Sequence, residues 1–219
     1  MKILPRVNNL SKDIIERYKN AEPATAGHYI HTGFMNPAIK PVFPNVKVVG
    51  PAFTLKITVN DSTLLHYCID LIQPGDVIVI DRIGDDVYAP VGDVLALAAK
   101  ERGAAAIIVD GPVTDIHGIK DVGIPVFATG VSVVTTKLLG LYGEINTSIQ
   151  CGGAVVNPGD LIFGDDTGVL VIKCEDADEL LEKVEKDMKF EKELIKKIKN
   201  GMSLPEISGA TNLVKSIML

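Results

Sequence analysis

A chain of 219 residues, 47% of them apolar, can bury one sizeable core and does not require a second domain. Its net charge of −6, without a Lys/Arg stripe, disfavours any role that depends on neutralising phosphates, and the absence of Trp removes the best base-stacking platform. No apolar run reaches the ~18 residues of a membrane span, and the N-terminus lacks an apolar leader core, so a cytoplasmic protein is expected, with no membrane and no direct nucleic-acid partner.

In chain order, Ser11 to Asn20 reads as a short helix with Ser11 as N-cap and Ile14, Ile15 and Tyr18 on one face. Ala21 to Pro44 holds four prolines and is expected to be loop. Lys47 to Val59 reads as two short strands broken at Gly50-Pro51, and Ser62 as the cap of a helix running to Asp70. Val77-Ile78-Val79-Ile80 is a buried strand launched by Pro74-Gly75-Asp76, and Val87 to Ala89 a candidate short strand. A helix runs from Val94 to Arg102 behind Asp93 and stops at Gly103. Ala106–Val109 and Pro125–Ala128 are further strands. From Val155 to Ile172 the pattern is strand, turn, strand, tight turn, strand, with Pro158-Gly159-Asp160 repeating the earlier turn chemistry. Glu175 to Asn200 is a charged helix ended by Gly201. So few helices cannot cover both faces of a doubly wound sheet, and a layered β/β/α arrangement or a distorted barrel fits better.

Chemistry concentrates at two aspartates. Asp93 opens a helix at Gly92-Asp93-Val94-Leu95, where unpaired amides suit a carboxylate ligand; the plainer alternative is an N-cap. Asp115 lies in the turn Asp110-Gly111-Pro112-Val113-Thr114-Asp115, where a simple turn former is the alternative. The intervening helix and strand fold back and can bring both carboxylates to one sheet edge. Hard cations such as Mg²⁺ want one or two carboxylates with water in the remaining positions. His117 follows closely and is a candidate neighbour or a plain surface histidine. Asp165-Asp166-Thr167-Gly168 reads as a hairpin turn. Cys68, Cys151 and Cys174 have no paired spacing and read as buried thiols, and His28, His31, His66 and His117 do not cluster with them as zinc ligands would.

Gly50-Pro51-Ala52-Phe53-Thr54, Pro74-Gly75-Asp76-Val77, Gly92-Asp93, Val109-Asp110-Gly111, Asp115, Pro125-Val126-Phe127-Ala128, Gly152-Gly153, Pro158-Gly159-Asp160 and Gly164-Asp165-Asp166-Thr167-Gly168 together resemble the RraA-like family. That family includes the 4-hydroxy-4-methyl-2-oxoglutarate and 4-carboxy-4-hydroxy-2-oxoadipate aldolases and the regulator of RNase E activity A. The resemblance implies an α/β, layered β/β/α swivelling-domain type fold with a long C-terminal helix. It also implies one domain over 1–219: an N-terminal helix and loop arm over 1–46, a core over 47–174 and a helical extension over 175–219. Members often carry a demethylmenaquinone methyltransferase name, but no glycine-rich strand-to-helix loop with a downstream acidic ribose ligand supports that chemistry here.

The aldolase branch has an aspartate, twenty residues, then Arg-Asp; this chain has Asp93, twenty residues, then Thr114-Asp115. In the regulators the first aspartate is typically glycine. The resemblance therefore implies Mg²⁺ or Mn²⁺ on Asp115. It implies that Asp93 orients water on the metal or moves a proton, and that amides around Val94 and Leu95 bind a pyruvyl carboxylate. Thr114 offers one neutral hydroxyl where a charged fork is usual, and Arg82 is the candidate replacement in space. Gly27-His28-Tyr29 stands where many members have Ser-Asp-Ala, so that side of the pocket is expected to be altered. The resemblance further implies a homotrimer, or a hexamer of trimers, in which a glutamate of the C-terminal helix enters the neighbouring subunit's site. Glu191 is the candidate, with Glu185 and Glu193 competing. Two functions are thus expected to compete: a metal-dependent lyase of small 2-oxo acids, and a non-catalytic regulator of the RNase E inhibitor type.

Overall fold

The structure, a computed structural model, describes residues 1–218. The chain runs β1 (Lys2–Ile3), α1 (Lys12–Lys19), α2 (Pro23–Ala26), β2 (Lys40–Pro41), β3 (Lys47–Ile57), α3 (Thr63–Cys68), β4 (Val77–Asp81), α4 (Asp93–Glu101), β5 (Ala106–Val109), β6 (Pro112–Val113) and α5 (Ile116–Val122). It continues through β7 (Val126–Ala128), β8 (Gly130–Val131), β9 (Gly143–Ile145), β10 (Ile149–Cys151), β11 (Ala154–Val156), β12 (Leu161–Asp165) and β13 (Gly168–Ile172) to α6 (Ala177–Lys199), α7 (Leu204–Ile207) and α8 (Ala210–Ile217).

Four parallel strands, in the order β3-β4-β5-β7, form the centre. Their side chains alternate between two cores, as strand geometry requires. Ile78, Ile80, Ile107 and Val109 face α3, α4 and α5 through Leu65, Leu95, Ala99 and Ile119. Val77, Val79, Ala106 and Ile108 face a second β layer through Ile149, Cys151, Val156 and Ile162. The face that helices leave bare is therefore covered by strands, which is the layered β/β/α arrangement. A third core lies outside that layer, where Phe163, Leu170 and Ile172 meet Tyr18 of α1 and Leu180, Leu181 and Val184 of α6.

β3 is one strand of 11 residues, not two short ones. What reads as a break is a change of partner: Lys47–Pro51 pair antiparallel with β12, and Ala52–Lys56 pair parallel with β4. Gly50 permits the crossing, since a Cβ there would lie 2.2 Å from the Gly75 carbonyl oxygen. The two Pro-Gly-Asp turns are alike in detail. Gly75 and Gly159 have φ of 92° and 85°. The Gln73 N–H donates to Asp76 and the Asn157 N–H to Asp160, both at 2.8 Å. The expected strand at Val87 to Ala89 reduces to one bridge, Ala89 with Thr135. The 1–46 arm enters the sheet itself, because β1 pairs with β9 and β2 with β7. Among the described residues, no helix is long and apolar enough to cross a membrane.

Asp61, not Ser62, holds the start of α3. Its carboxylate accepts from the Thr63 N–H at 2.9 Å and hydroxyl at 2.6 Å, and from the amides of Leu139 and Leu141 at 3.0 and 2.6 Å. Burial alone would raise its carboxyl; the hydrogen bonds from Thr63, Leu139 and Leu141 outweigh that and hold it at about 2. A group depressed in the folded state stabilises above its unfolded value, near 4, and that stabilisation is lost as pH falls through the folded value. Asp61→Asn is therefore expected to lower urea stability by about 2 kcal/mol at pH 7, with the gap from wild type closing between pH ~4 and ~2. A gap that does not change with pH would overturn this assignment.

Candidate functional site

β4 and β5 are neighbouring parallel strands, and each runs through a loop into a helix, residues 82–92 into α4 and 110–115 into α5. Parallel strands deliver their carboxyl ends to one sheet edge, where open α/β sheets bind ligands. Topology thus brings Asp93 and Asp115 together. Both line a cavity of about 350 Å³ between α3 and the start of α4, together with Gly92, Val94, Leu95 and Thr114.

Asp93 is the first residue of α4, and Gly92 takes the N-cap position. The first helical bond runs from the Ala96 N–H to the Gly92 carbonyl at 3.0 Å, so the amides of Asp93, Val94 and Leu95 precede the ladder. The Val94 N–H donates to Asp93 Oδ1 at 2.7 Å. Any anion arriving there would compete with Asp93 for that amide.

Asp115 sits in the left-handed region, φ 51° and ψ 42°, which Asp tolerates better than most residues. Its carboxylate does not cap its own helix. The Thr114 hydroxyl donates to Oδ1 at 3.3 Å, and the residue is otherwise open to solvent.

The two aspartates are seated reciprocally. A Cβ on Gly92 would lie 2.5 Å from Asp115 Oδ2. A Cβ on Gly118, in α5, would lie 2.6 Å from Asp93 Oδ2. Each carboxylate occupies space that a glycine beside the other leaves empty. Among the described residues, no three His, Cys, Asp or Glu side chains converge as a ligand set. A dehydrating zinc-type site is therefore not built here. One or two carboxylates in an open cavity do fit a hard, largely hydrated cation such as Mg²⁺ or Mn²⁺.

Arg82, His117 and Glu191 do not line this cavity. Arg82 is fully buried. Its guanidinium donates to the carbonyl oxygens of Thr58 at 3.3 Å, Val59 and Tyr88 at 3.1 Å, and to Asp85 at 2.6 Å. Burial pulls its pKa down against the opposing pull of Asp85. It folds the 82–92 loop and does not reach the cavity, because four acceptors already hold its fork. His117 is exposed on α5 and does not line the cavity. Glu191 is exposed on α6, which packs on α1 and α2, away from this edge. Gly27 and His28 line a separate, larger cavity of about 630 Å³ with Phe34 and Gly152. No carboxylate lines that cavity, so its size does not make it the chemical site.

The opposite wall of the aspartate cavity is built by Ser62, His66 and Asp70, at the start of, within and just past α3, and by Thr135 and Thr136 from the segment after β8. Their only signal is the repeated strand–helix alternation, which lays α3 beside α4. Cys68 and Cys151 are buried and free, and burial pushes the Cys68 thiol up to about 12, which leaves it inert.

Residues 15–171 match the family model described as RraA-like: Aldolase/RraA. A protein of Halalkalibacterium halodurans named "Putative 4-hydroxy-4-methyl-2-oxoglutarate aldolase" is 40% identical over 148 residues, spanning 68% of this chain and 70% of that protein. An uncharacterised protein of Methanocaldococcus jannaschii is 37% identical over 172 residues, 77% of this chain and 82% of the other. The crystal structure of Streptomyces coelicolor RraAS2, described as an unusual member of the RNase ES inhibitor RraA protein family, matches with a TM-score of 0.76 at 25% identity. That match covers 85% of this chain and 97% of the other.

Proposed function

The chain belongs to the RraA-like family, and from that premise we propose that it is a divalent-metal-dependent lyase of small 2-oxo acids. The reaction is of the 4-hydroxy-4-methyl-2-oxoglutarate aldolase or oxaloacetate decarboxylase type. The observation that carries this reading is the reciprocal seating of Asp93 and Asp115 at one sheet edge. Mg²⁺ or Mn²⁺ held by Asp115 would supply positive charge toward the substrate carbonyl, where negative charge develops on cleavage. The amides at Val94 and Leu95 orient the substrate carboxylate at the start of α4. Asp93 lies beside them and, in the retro-aldol direction, takes the proton of the 4-hydroxyl. The carbon–carbon bond breaks and its electron pair passes onto the 2-oxo group. Thr114 contributes a hydroxyl and no charge.

The purified protein is expected to release pyruvate from 4-hydroxy-2-oxo acids or oxaloacetate with Mg²⁺ or Mn²⁺, and to stop on EDTA. Inactivity across that panel with metal supplied overturns the reading. A regulatory protein without chemistry is the second reading, favoured by Thr114 and by a cavity lining that holds no Lys or Arg. Calorimetry separates the two, because a regulator of this kind shows no heat of Mg²⁺ or Mn²⁺ binding at millimolar concentration.

We also assign the assembled form as a trimer, or a hexamer of trimers, with Glu191 entering from a neighbouring copy. Leu180, Leu181 and Val184 of α6 are buried in their own subunit, while Ile195 and Ile198 are exposed. Near the cavity, Val131, Val133, Leu138 and Leu141 are exposed too, Val133 at 95%. A surface of this kind is what self-association covers. Sedimentation is expected to give a trimer or larger species; a stable, active monomer would remove both the assembly and Glu191 from the site.

A further inference from the structure

His66 is the one side chain lining the aspartate cavity that can carry positive charge. It projects from α3, across from the start of α4, in a lining that also holds the carboxylates of Asp70, Asp93 and Asp115. Asp70, just past the end of α3, is already paired with Arg102. Among the described residues, no ion pair involves His66. The imidazole is exposed at the cavity wall, where a ligand can reach it. Hydroxyl-bearing side chains complete that wall: Ser62, whose amide and hydroxyl both donate to the Lys137 carbonyl, with Thr135 and Thr136.

In the lyase reading the cation on Asp115 would be engaged by the 2-oxo group, so a second substrate carboxylate must find its partner elsewhere in a lining that also holds Asp70 and Asp93. The helix-start amides at Val94 and Leu95 can take one carboxylate, and Thr114 brings no charge to help. A second acidic group needs a hydrogen-bond donor from the chain, and the α3 wall offers the imidazole of His66. Resting on the lyase reading above, we infer that His66 is the specificity-determining residue of this site, selecting 2-oxo acids with a second carboxylate and binding that carboxylate on the α3 wall. Monoacids such as pyruvate would bind without it.

The test uses the full-length protein. His66→Gln is expected to raise KM for oxaloacetate about tenfold, equivalent to about 1.4 kcal/mol, with kcat little changed. The KM for exchange of pyruvate methyl protons should stay at the wild-type value, and His66→Arg should restore the oxaloacetate KM. Independently of turnover, malonate at millimolar concentration should shift the imidazole NMR signals of His66, identified by their loss in His66→Gln, more than acetate does. Unmoved His66 signals, or a KM rise in Lys137→Met in place of His66→Gln, would overturn the assignment. If the wild type cleaves oxaloacetate and His66→Gln has the same KM, the assignment falls and the lyase reading stands. If malonate shifts His66 but no 2-oxo acid is turned over, the lyase reading falls and the diacid site stands.

Discussion

Asp115→Asn is expected to lower metal-dependent lyase activity at least a hundredfold and to leave the fold intact. Asparagine matches aspartate in shape and also tolerates the left-handed backbone observed at this position, φ 51° and ψ 42°. Alanine is the poorer choice, since a residue without a local polar partner pays about 1 kcal/mol or more in that conformation. The Thr114 hydroxyl, which donates to Oδ1 at 3.3 Å, can donate equally to the amide oxygen. What asparagine cannot supply is the negative charge that a hard cation requires. Melting temperature should therefore stay near wild type, while pyruvate release and the calorimetric heat of Mg²⁺ or Mn²⁺ binding both disappear. Activity within tenfold of wild type in the folded variant removes Asp115 from the metal.

Much of the layered fold is legible in the sequence because its signals are local. The continuous apolar runs at 77–80 and 106–109 mark strands buried on both faces, and the structure divides them cleanly between two cores. The Pro-Gly-Asp turns and the stop at Gly103 are local chemistry too, and both are present. One failure is local, since Asp61 and not its neighbour Ser62 holds the start of α3; the others are non-local. Gly50-Pro51 interrupts the β signal, and only the positions of β4 and β12 show that β3 continues while changing partners. Arg82 stands at the head of the 82–92 loop that leads to Asp93, yet its direction is set by carbonyls at Thr58 and Val59, more than 20 positions earlier. The two aspartates are legible through their spacing and their helix starts. Their reciprocal seating is not, because it depends on two glycines in two different segments. His66 gives no local sign of its place, because nothing within α3 points to α4.

Gly92→Ala is the sharper test of that seating, and a large loss of activity is expected from the addition of one methyl group. The backbone at Gly92, φ −124° and ψ −169°, is open to any residue, so alanine introduces no conformational strain. The methyl group would instead lie 2.5 Å from Asp115 Oδ2 and 3.1 Å from Thr114 Cγ2. Contacts that short are repulsive, and Asp115 is the side chain free to yield, since it is exposed and caps nothing. Its carboxylate turns away from the cavity, and a ligand displaced by even ~1 Å is expected to cost about a hundredfold in rate. Stability should change by less than about 1 kcal/mol, because no core atom moves. Gly118→Ala is the matching experiment on the other aspartate. Its methyl group would lie 2.6 Å from both Cβ and Oδ2 of Asp93. Asp93 Cβ is fixed to the backbone and cannot rotate away, so α4 and α5 must part; kcat is expected to fall together with stability, and the ~1 kcal/mol by which alanine is favoured over glycine inside α5 offsets only part of that. In Gly92→Ala the heat of metal binding should fall with activity, whereas in Gly118→Ala metal binding should persist. Wild-type turnover in a folded Gly92→Ala protein would show that Asp115 does its work from a different position, and the reciprocal seating would lose its functional meaning.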